Sequence, residues 1–232
     1  MPDFSQSAPG LDPPAVIDHV LLPVGNLDDA AQHMQDRYGL QANPGGRHAT
    51  GGTANYIVPL GLQYLELIAV VEPAEVRDSH LGARVMQAVS EGRTFVAWAL
   101  RTTDLDALRA RLLGAGWELP PIAEGSRRRP DGQVLSWRTQ DVEKGATGPS
   151  AIPFVIEWKI PDGLHPGEAA ATHEHGATSI KRVVVGARDP EKVRRRLALL
   201  LGESGMYEVR ESGSDGVEEL VLAHADTETV IR

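Results

Sequence analysis

Three side chains able to bind metal or move protons sit inside apolar, strand-like runs: His19 in IDHVL, Glu66 in YLELI and Glu157 in FVIEW. A buried carboxylate without a partner is costly, so Glu66 and Glu157 each need one. One imidazole and two carboxylates with coordination positions left open suit a divalent ion such as Zn, Mn, Fe, Co or Ni. A substrate chelating that ion through neighbouring oxygens would have a C–H acidified or an enolate stabilised. The residues also allow a metal-free pairing, with Arg101, Arg129 or Arg138 against the carboxylates and His19 as a satisfied core histidine.

Further candidates surround these three. His48 lies in the glycine-rich stretch GGRHATGG, whose flexibility permits close backbone approach. It reads as a general acid/base, as a further metal ligand, or as an exposed loop histidine. Asn55 opens a strand-like run and can donate to a substrate oxygen, or simply serve a turn or edge strand. In EGSRRRPDGQVLSWRT the DG pair favours a hairpin turn. Arg129 there is the candidate fork for a substrate carboxylate, with Arg127 and Arg128 read as a solvated turn. His165 in LHPG is expected to close over the pocket. His173 and His175 in HEH are a weak metal signal, and His33 and His80 read as solvent-facing. Alternation along the strands places Trp98 and Trp158 outward, in core packing. The sequence has no GxSxG nucleophile elbow, no dinucleotide fingerprint after a strand and no phosphate-binding loop.

The elements that must position these residues follow a pattern. VIDHVLLPV is a strand and leads into a helix capped by Asn26, with Asp28 and Asp29 in its first turn and Gly39 at its end. ANYIVPL and LQYLELIAVV are further strands. TFVAWALRTTDLDALRARLLGAG repeats strand, capped helix and glycine, and GQVLSWRT and PFVIEWKIP supply later strands. A helix around Ser79–Ser90 joins the two units. A third unit has Asp189 as N-cap and Pro190 at the first helical position, followed by the strands MYEVRES and EELVLAHA. Aligning Leu27 with Leu105 sets His19 opposite Ala97; aligning Leu27 with Pro190 sets Gly39 on Gly202. The expected organisation is a flexible N-terminus at 1–15, modules at 16–73 and 93–162 within 16–167, a linker at 168–178, and a third βαβββ-like module at 179–232.

Bulk properties exclude several classes. The 232 residues are 41% hydrophobic and 24% charged, enough for a real core. The net charge of −9 repels phosphate backbones, so no nucleic-acid partner is expected. There are no cysteines, hence no disulfides, thiolate ligands or cysteine nucleophiles. The opening residues do not read as a signal peptide and no apolar run spans a bilayer, so a cytoplasmic protein with no membrane partner is expected.

The phrases DHVLLPVGNLDDA, GGRHATGGTANYIVPLGLQYLELIAV and PFVIEWKIPDGLHPG resemble the vicinal oxygen chelate superfamily (the glyoxalase and bleomycin-resistance fold), and most closely its glyoxalase-like domain family. The resemblance implies an α+β fold in which tandem βαβββ modules form a cupped mixed sheet, with a third partial module at the C-terminus. It implies metal ligands on the first and last strands of each paired module, which fall on His19, Glu66 and Glu157. The fourth ligand position falls on Ala97, a departure from the glyoxalase pattern.

The expected function is a metal-dependent enzyme of lyase or isomerase type on a small oxygenated metabolite, with His48 moving the proton. Two alternatives stand beside it: a non-catalytic small-molecule binding or resistance protein, and a ring-cleaving dioxygenase. Because such modules pair and three is odd, the third module is expected to pair across a homodimer.

Overall fold

The computed structural model describes residues 15–143, 148–224 and 227–232. Apart from Ala15, the expected flexible N-terminus lies outside the described residues.

The first module runs β1 (Val16–Pro23), α1 (Leu27–Tyr38), β2 (Asn43–His48), β3 (Thr53–Pro59) and β4 (Tyr64–Val70). Asn26 caps α1 by accepting from the Asp28 and Asp29 amides, and Gly39 ends it at φ 63° in the left-handed region. Helix α2 (His80–Ser90), capped by Ser79, leads to the second module. That module comprises β5 (Ala97–Arg101), α3 (Leu105–Gly114), β6 (Ala123–Arg128), β7 (Val134–Gln140) and β8 (Phe154–Trp158).

The eight strands close into a barrel in the order β1-β4-β3-β2-β6-β7-β8-β5. Within each module the first strand lies parallel to the last, β1 beside β4 and β5 beside β8. Two seams join the modules: β1 against β5, and β2 against β6 through Arg47–Arg128 and His48–Arg127. Alternation divides the strands. One set of side chains, including Val20, Leu65, Trp98 and Val155, packs outward in a core shared with α1 and α3. The other set turns into the barrel. Trp98 thus sits where alternation predicts, fully buried, with its indole N–H donating to the Ala151 carbonyl.

The third unit has the expected order of elements: β9 (Ser179–Ala187), α4 (Pro190–Leu201), β10 (Tyr207–Glu211), β11 (Gly216–Ala223) and β12 (Glu228–Ile231). Its sheet differs from the barrel modules. The first strand lies between the second and third, in the order β10-β9-β11-β12. Its apolar residues Val183, Leu197, Leu220 and Ile231 belong to the same continuous core as the barrel's outer wall. The apolar residues of the third sheet are therefore covered within this chain.

The segment after β8 is tied down along the barrel. Thr172 donates its amide to Gln41, and His173 receives the Gln41 amide and contacts the Pro59 carbonyl at 2.6 Å. The His175 carbonyl lies 2.6 Å from His224 Nδ1. These contacts give the His173 ring a structural occupation, while His175 takes part through its backbone carbonyl. Among the described residues no helix is long and apolar enough to cross a membrane.

Candidate active site

All eight barrel strands contribute to one internal cavity of about 310 Å³. His19 reaches it from β1, His48 from β2, Asn55 from β3, Glu66 from β4 and Arg127 from β6. Trp137 of β7 and Trp158 of β8 form part of its aromatic wall, and His80 and Arg84 of α2 line it as well.

Glu66 is 5% exposed and lies between two imidazoles. Its closest approaches are Oε2 to His19 Nε2 at 3.5 Å and Oε1 to His48 Nε2 at 3.7 Å. Asn55 donates its amide N–H to Oε1 at 2.5 Å, and its own carbonyl accepts from Arg127 Nη1 at 2.6 Å. The glycine before this site has a steric reason. A Cβ on Gly45 would collide with Asn55 Oδ1 and Arg127 Nη1, so only glycine lets β2 pass that close.

A second buried carboxylate stands behind His19. The β1–β5 register shifts between Ile17 and His19, leaving a bulge at Asp18 that re-aims its side chain. Asp18 is fully buried and accepts from His19 Nδ1 at 2.8 Å, His165 Nε2 at 3.0 Å and Trp158 Nε1 at 3.2 Å, with Arg101 Nη1 at 3.6 Å. Burial alone would raise its pKa; the hydrogen bonds from His165 and His19 win and hold the carboxyl well below the usual range. Asp18 is then a pure acceptor and fixes the proton of His19 on Nδ1. His19 Nε2 is left facing the cavity, and the ring is stacked on Tyr64 with centroids 4.5 Å apart.

His48 has its Nδ1 2.9 Å from the Thr53 hydroxyl and its ring edge-on to Trp137. Burial lowers its pKa; Glu66 opposes and Arg127 reinforces that shift. Tyr64 is pushed well above its ordinary pKa by burial and then by the Glu66 and Asp18 carboxylates, which keeps it a neutral phenol.

The structure brings together His19, His48, Asn55 and Glu66, and separates them from the other candidates. Glu157 points out of the barrel. Its cross-strand partner is Arg138, whose Nη1 donates to it at 3.1 Å, and Lys159 Nζ lies 3.0 Å away. The inward residues of β8 are Phe154, Ile156 and Trp158, so the parity assigned to this strand is reversed. Cross-strand pairs share a face, and Trp137–Trp158 takes the inside while Arg138–Glu157 takes the outside. Arg129 sits in the β6–β7 turn with its Nε 3.2 Å from Asp131, away from the cavity. His165 does not close over the pocket; it is buried behind it, receiving the Gly167 amide at Nδ1 and donating to Asp18.

The donor set therefore does not fit the ion that the family pattern implies. Ala97 and Ile156 stand on β5 and β8 where ligands would be needed, and Glu157 faces away. The Glu66 carboxylate lies between the two imidazoles, which approach different oxygens rather than one shared point. Among the described residues no group of three His, Asp or Glu side chains is arranged to hold a metal.

Two residues of the site stand outside the sequence candidates for it. Asp18 is buried behind His19. Arg127, expected in a solvated turn, is 3% exposed within the cavity lining. The period-2 step from Gly125 to Arg127 was the available signal, since Trp137 lies against Gly125 on the same face and a Cβ there would strike its indole.

No curated protein matches the sequence. Among solved structures, a hypothetical protein from Staphylococcus aureus is similar over 92% of this chain and 83% of its own, at 18% identity and a TM-score of 0.66. The methylmalonyl-CoA epimerase of Mycobacterium tuberculosis is similar over 64% of this chain and 89% of its own, at 19% identity and a TM-score of 0.45. The first likeness carries the fold across nearly the whole chain, third unit included. Residues 17–201 match the glyoxalase-like domain family. With its barrel of two βαβββ modules, the chain belongs to that family, within the vicinal oxygen chelate superfamily.

Proposed function

We propose that the cavity is an acid–base site that moves a proton on a small oxygenated metabolite, in a reaction of the lyase or isomerase kind. The observation that supports this best is Glu66 flanked by His19 Nε2 and His48 Nε2. The gaps of 3.5 and 3.7 Å are too long for strong hydrogen bonds, so neither Nε2 is tied to the carboxylate and both can address a substrate bound in the cavity beside it. His19, with Asp18 behind it, takes the proton from a carbon next to a carbonyl. Asp18 holds the ring in the reactive tautomer and stabilises the imidazolium that forms. His48, depressed by burial, is unprotonated at neutral pH and serves as a base on the other side of the carboxylate.

The second reading is sequestration without chemistry, favoured by the apolar residues Ala97 and Ile156 at the missing ligand positions. One experiment separates the readings. The purified protein is incubated in deuterated buffer with a panel of 2-keto and 2-hydroxy acids, and C–H loss is followed by NMR, alongside elemental analysis. Exchange above buffer that survives a chelator and falls by about a hundredfold or more in His19→Gln supports the acid–base site. No exchange across the panel overturns it in favour of sequestration. Exchange abolished by the chelator, with one divalent ion per chain, overturns the metal-free form and restores a metal centre.

A further inference from the structure

Among the described residues Arg127 makes one side-chain hydrogen bond, to Asn55 Oδ1, although it is 3% exposed and belongs to the cavity lining. Its Nε is buried with no partner. A guanidinium carries five donors and does not lose its charge in a protein, so this one is held largely unanswered at the cavity wall. Asn55 stands between it and Glu66, so the two opposite charges are bridged by a neutral amide and not paired directly. Arg84, the other arginine of the lining, also has a buried Nε without a partner, but it donates to the Val96 carbonyl and feels the nearby carboxylates of Asp141 and Glu143. Part of the remaining wall is flat and aromatic, and the rest is aliphatic, with Leu21, Ala97 and Ile156 among it. Trp137 and Trp158 meet edge-to-face at 5.3 Å, and Tyr64 and Phe154 flank His19. At about 310 Å³ the cavity lies at the small end of the range for ligand sites, roughly 300–1,000 Å³.

We infer that the cavity takes a small planar carboxylate, an aromatic or conjugated acid, whose anionic oxygens are received by Arg127 while its flat body lies among Trp137, Trp158, Tyr64 and Phe154. This deepens the function proposed above, resting on the same cavity, by naming the charge and shape of the substrate. A carboxylate matches the planar fork of a guanidinium and supplies the acceptors it lacks. The aromatic rings offer faces and edges to a flat ligand. The reacting carbon of such an acid would lie beyond its carboxylate, toward Glu66 and the two imidazoles.

Isothermal titration calorimetry with 2-naphthoate, 2-naphthamide and octanoate tests this on the full chain. Expected is tightest binding of 2-naphthoate, about tenfold or more weaker binding of the neutral amide, and weaker binding of octanoate than of 2-naphthoate. In Arg127→Met the acid and amide should bind within about twofold of each other, and Arg127→Lys should recover part of the preference. Equal affinity of acid and amide for the native protein overturns the proposal, and needs no variant to fold. So does an unchanged acid preference in a folded Arg127→Met, octanoate binding as tightly as 2-naphthoate, or no binding of any probe at millimolar concentration. His19→Gln should keep the acid preference. An acid preference without proton exchange would defeat the catalytic reading and leave this one standing, and exchange without the preference would do the reverse.

Discussion

Replacing Asp18 by Asn is the sharpest perturbation of the site, because it changes one atom and a charge without changing shape. The carboxylate is fully buried and takes two donors on each oxygen: His19 and Trp158 on Oδ2, His165 and Arg101 on Oδ1. Asparagine keeps one oxygen. Whichever way its amide turns, its NH2 group faces two N–H donors. Two charge-assisted contacts are lost, at about 1.5–3 kcal/mol each. Adjustment of His19 offsets part of this, so the expected loss is about 3–5 kcal/mol at neutral pH, the range for removing one partner of a buried ion pair. The adjustment has a functional cost. If His19 Nδ1 becomes the acceptor, its proton moves to Nε2, which points at Glu66, and the ring can no longer act as the base proposed above. Urea unfolding at pH 7 reads the stability, and nitrogen-15 NMR of the histidine side chains reads the tautomer. The pH dependence has a definite sign. Asp18 has a depressed pKa in the folded chain, so its contribution is complete above the ordinary value of about 3.9 and is lost as pH falls below that toward the folded value. The gap between native and variant should narrow only in acid. A loss under about 1 kcal/mol at pH 7, with His19 still protonated on Nδ1, would refute the assignment of Asp18 as the group that sets this ring.

His48 should titrate by NMR below the ordinary histidine value of about 6.5, and Glu66→Gln should push it lower, since Glu66 opposes the effect of burial. Because the folded chain binds this proton less readily than the unfolded one, His48 makes stability rise with pH through the interval from its folded pKa to about 6.5. Gly45→Ala should cost about 1–3 kcal/mol in chemical denaturation, since its Cβ meets Asn55 and Arg127; a neutral result would show that β2 yields there. Leu197→Ala in α4 should cost about 2–5 kcal/mol and lower a single unfolding transition, because the third unit shares its core with the barrel; two separate transitions would show that it folds alone. Light scattering at micromolar concentration decides the oligomeric state: with the third sheet's apolar residues buried within one chain, a monomer is expected.

The helices were legible because their ends are written in local chemistry. Asn26 and Asp189 both cap as read, and the helix starts at Leu27, Leu105 and Pro190 fall where the alignment set them. Two strands of the barrel, β2 and β6, are not legible as strands. NPGGRH and AEGSRR are poor strand formers by composition; each is held by its hairpin partner, β3 or β7, and by the long-range pairing of β2 with β6. That omission hid Arg127, whose inward direction exists only once β6 is a strand. The parity of β8 was ambiguous for another reason. FVIEW carries bulky apolar residues on both faces, so period 2 does not say which side is inside. The pairing with β7 decides it, by matching Glu157 to Arg138.

The β2–β6 seam ties the site to the closure of the barrel. It is short, and one of its two register pairs is His48 opposite Arg127, an imidazole and a guanidinium of the cavity lining. The β3–β4 ladder beside it runs from Thr53–Val70 to Pro59–Tyr64. A fluctuation that unzips the barrel therefore begins where it costs fewest ladder bonds, and its first effect is to part those two residues. Amide exchange should run faster across this seam than across β3–β4. The same opening is also a door: it widens the cavity beside His48 and Arg127, so the release of any molecule held there and the temporary dismantling of the site become a single motion.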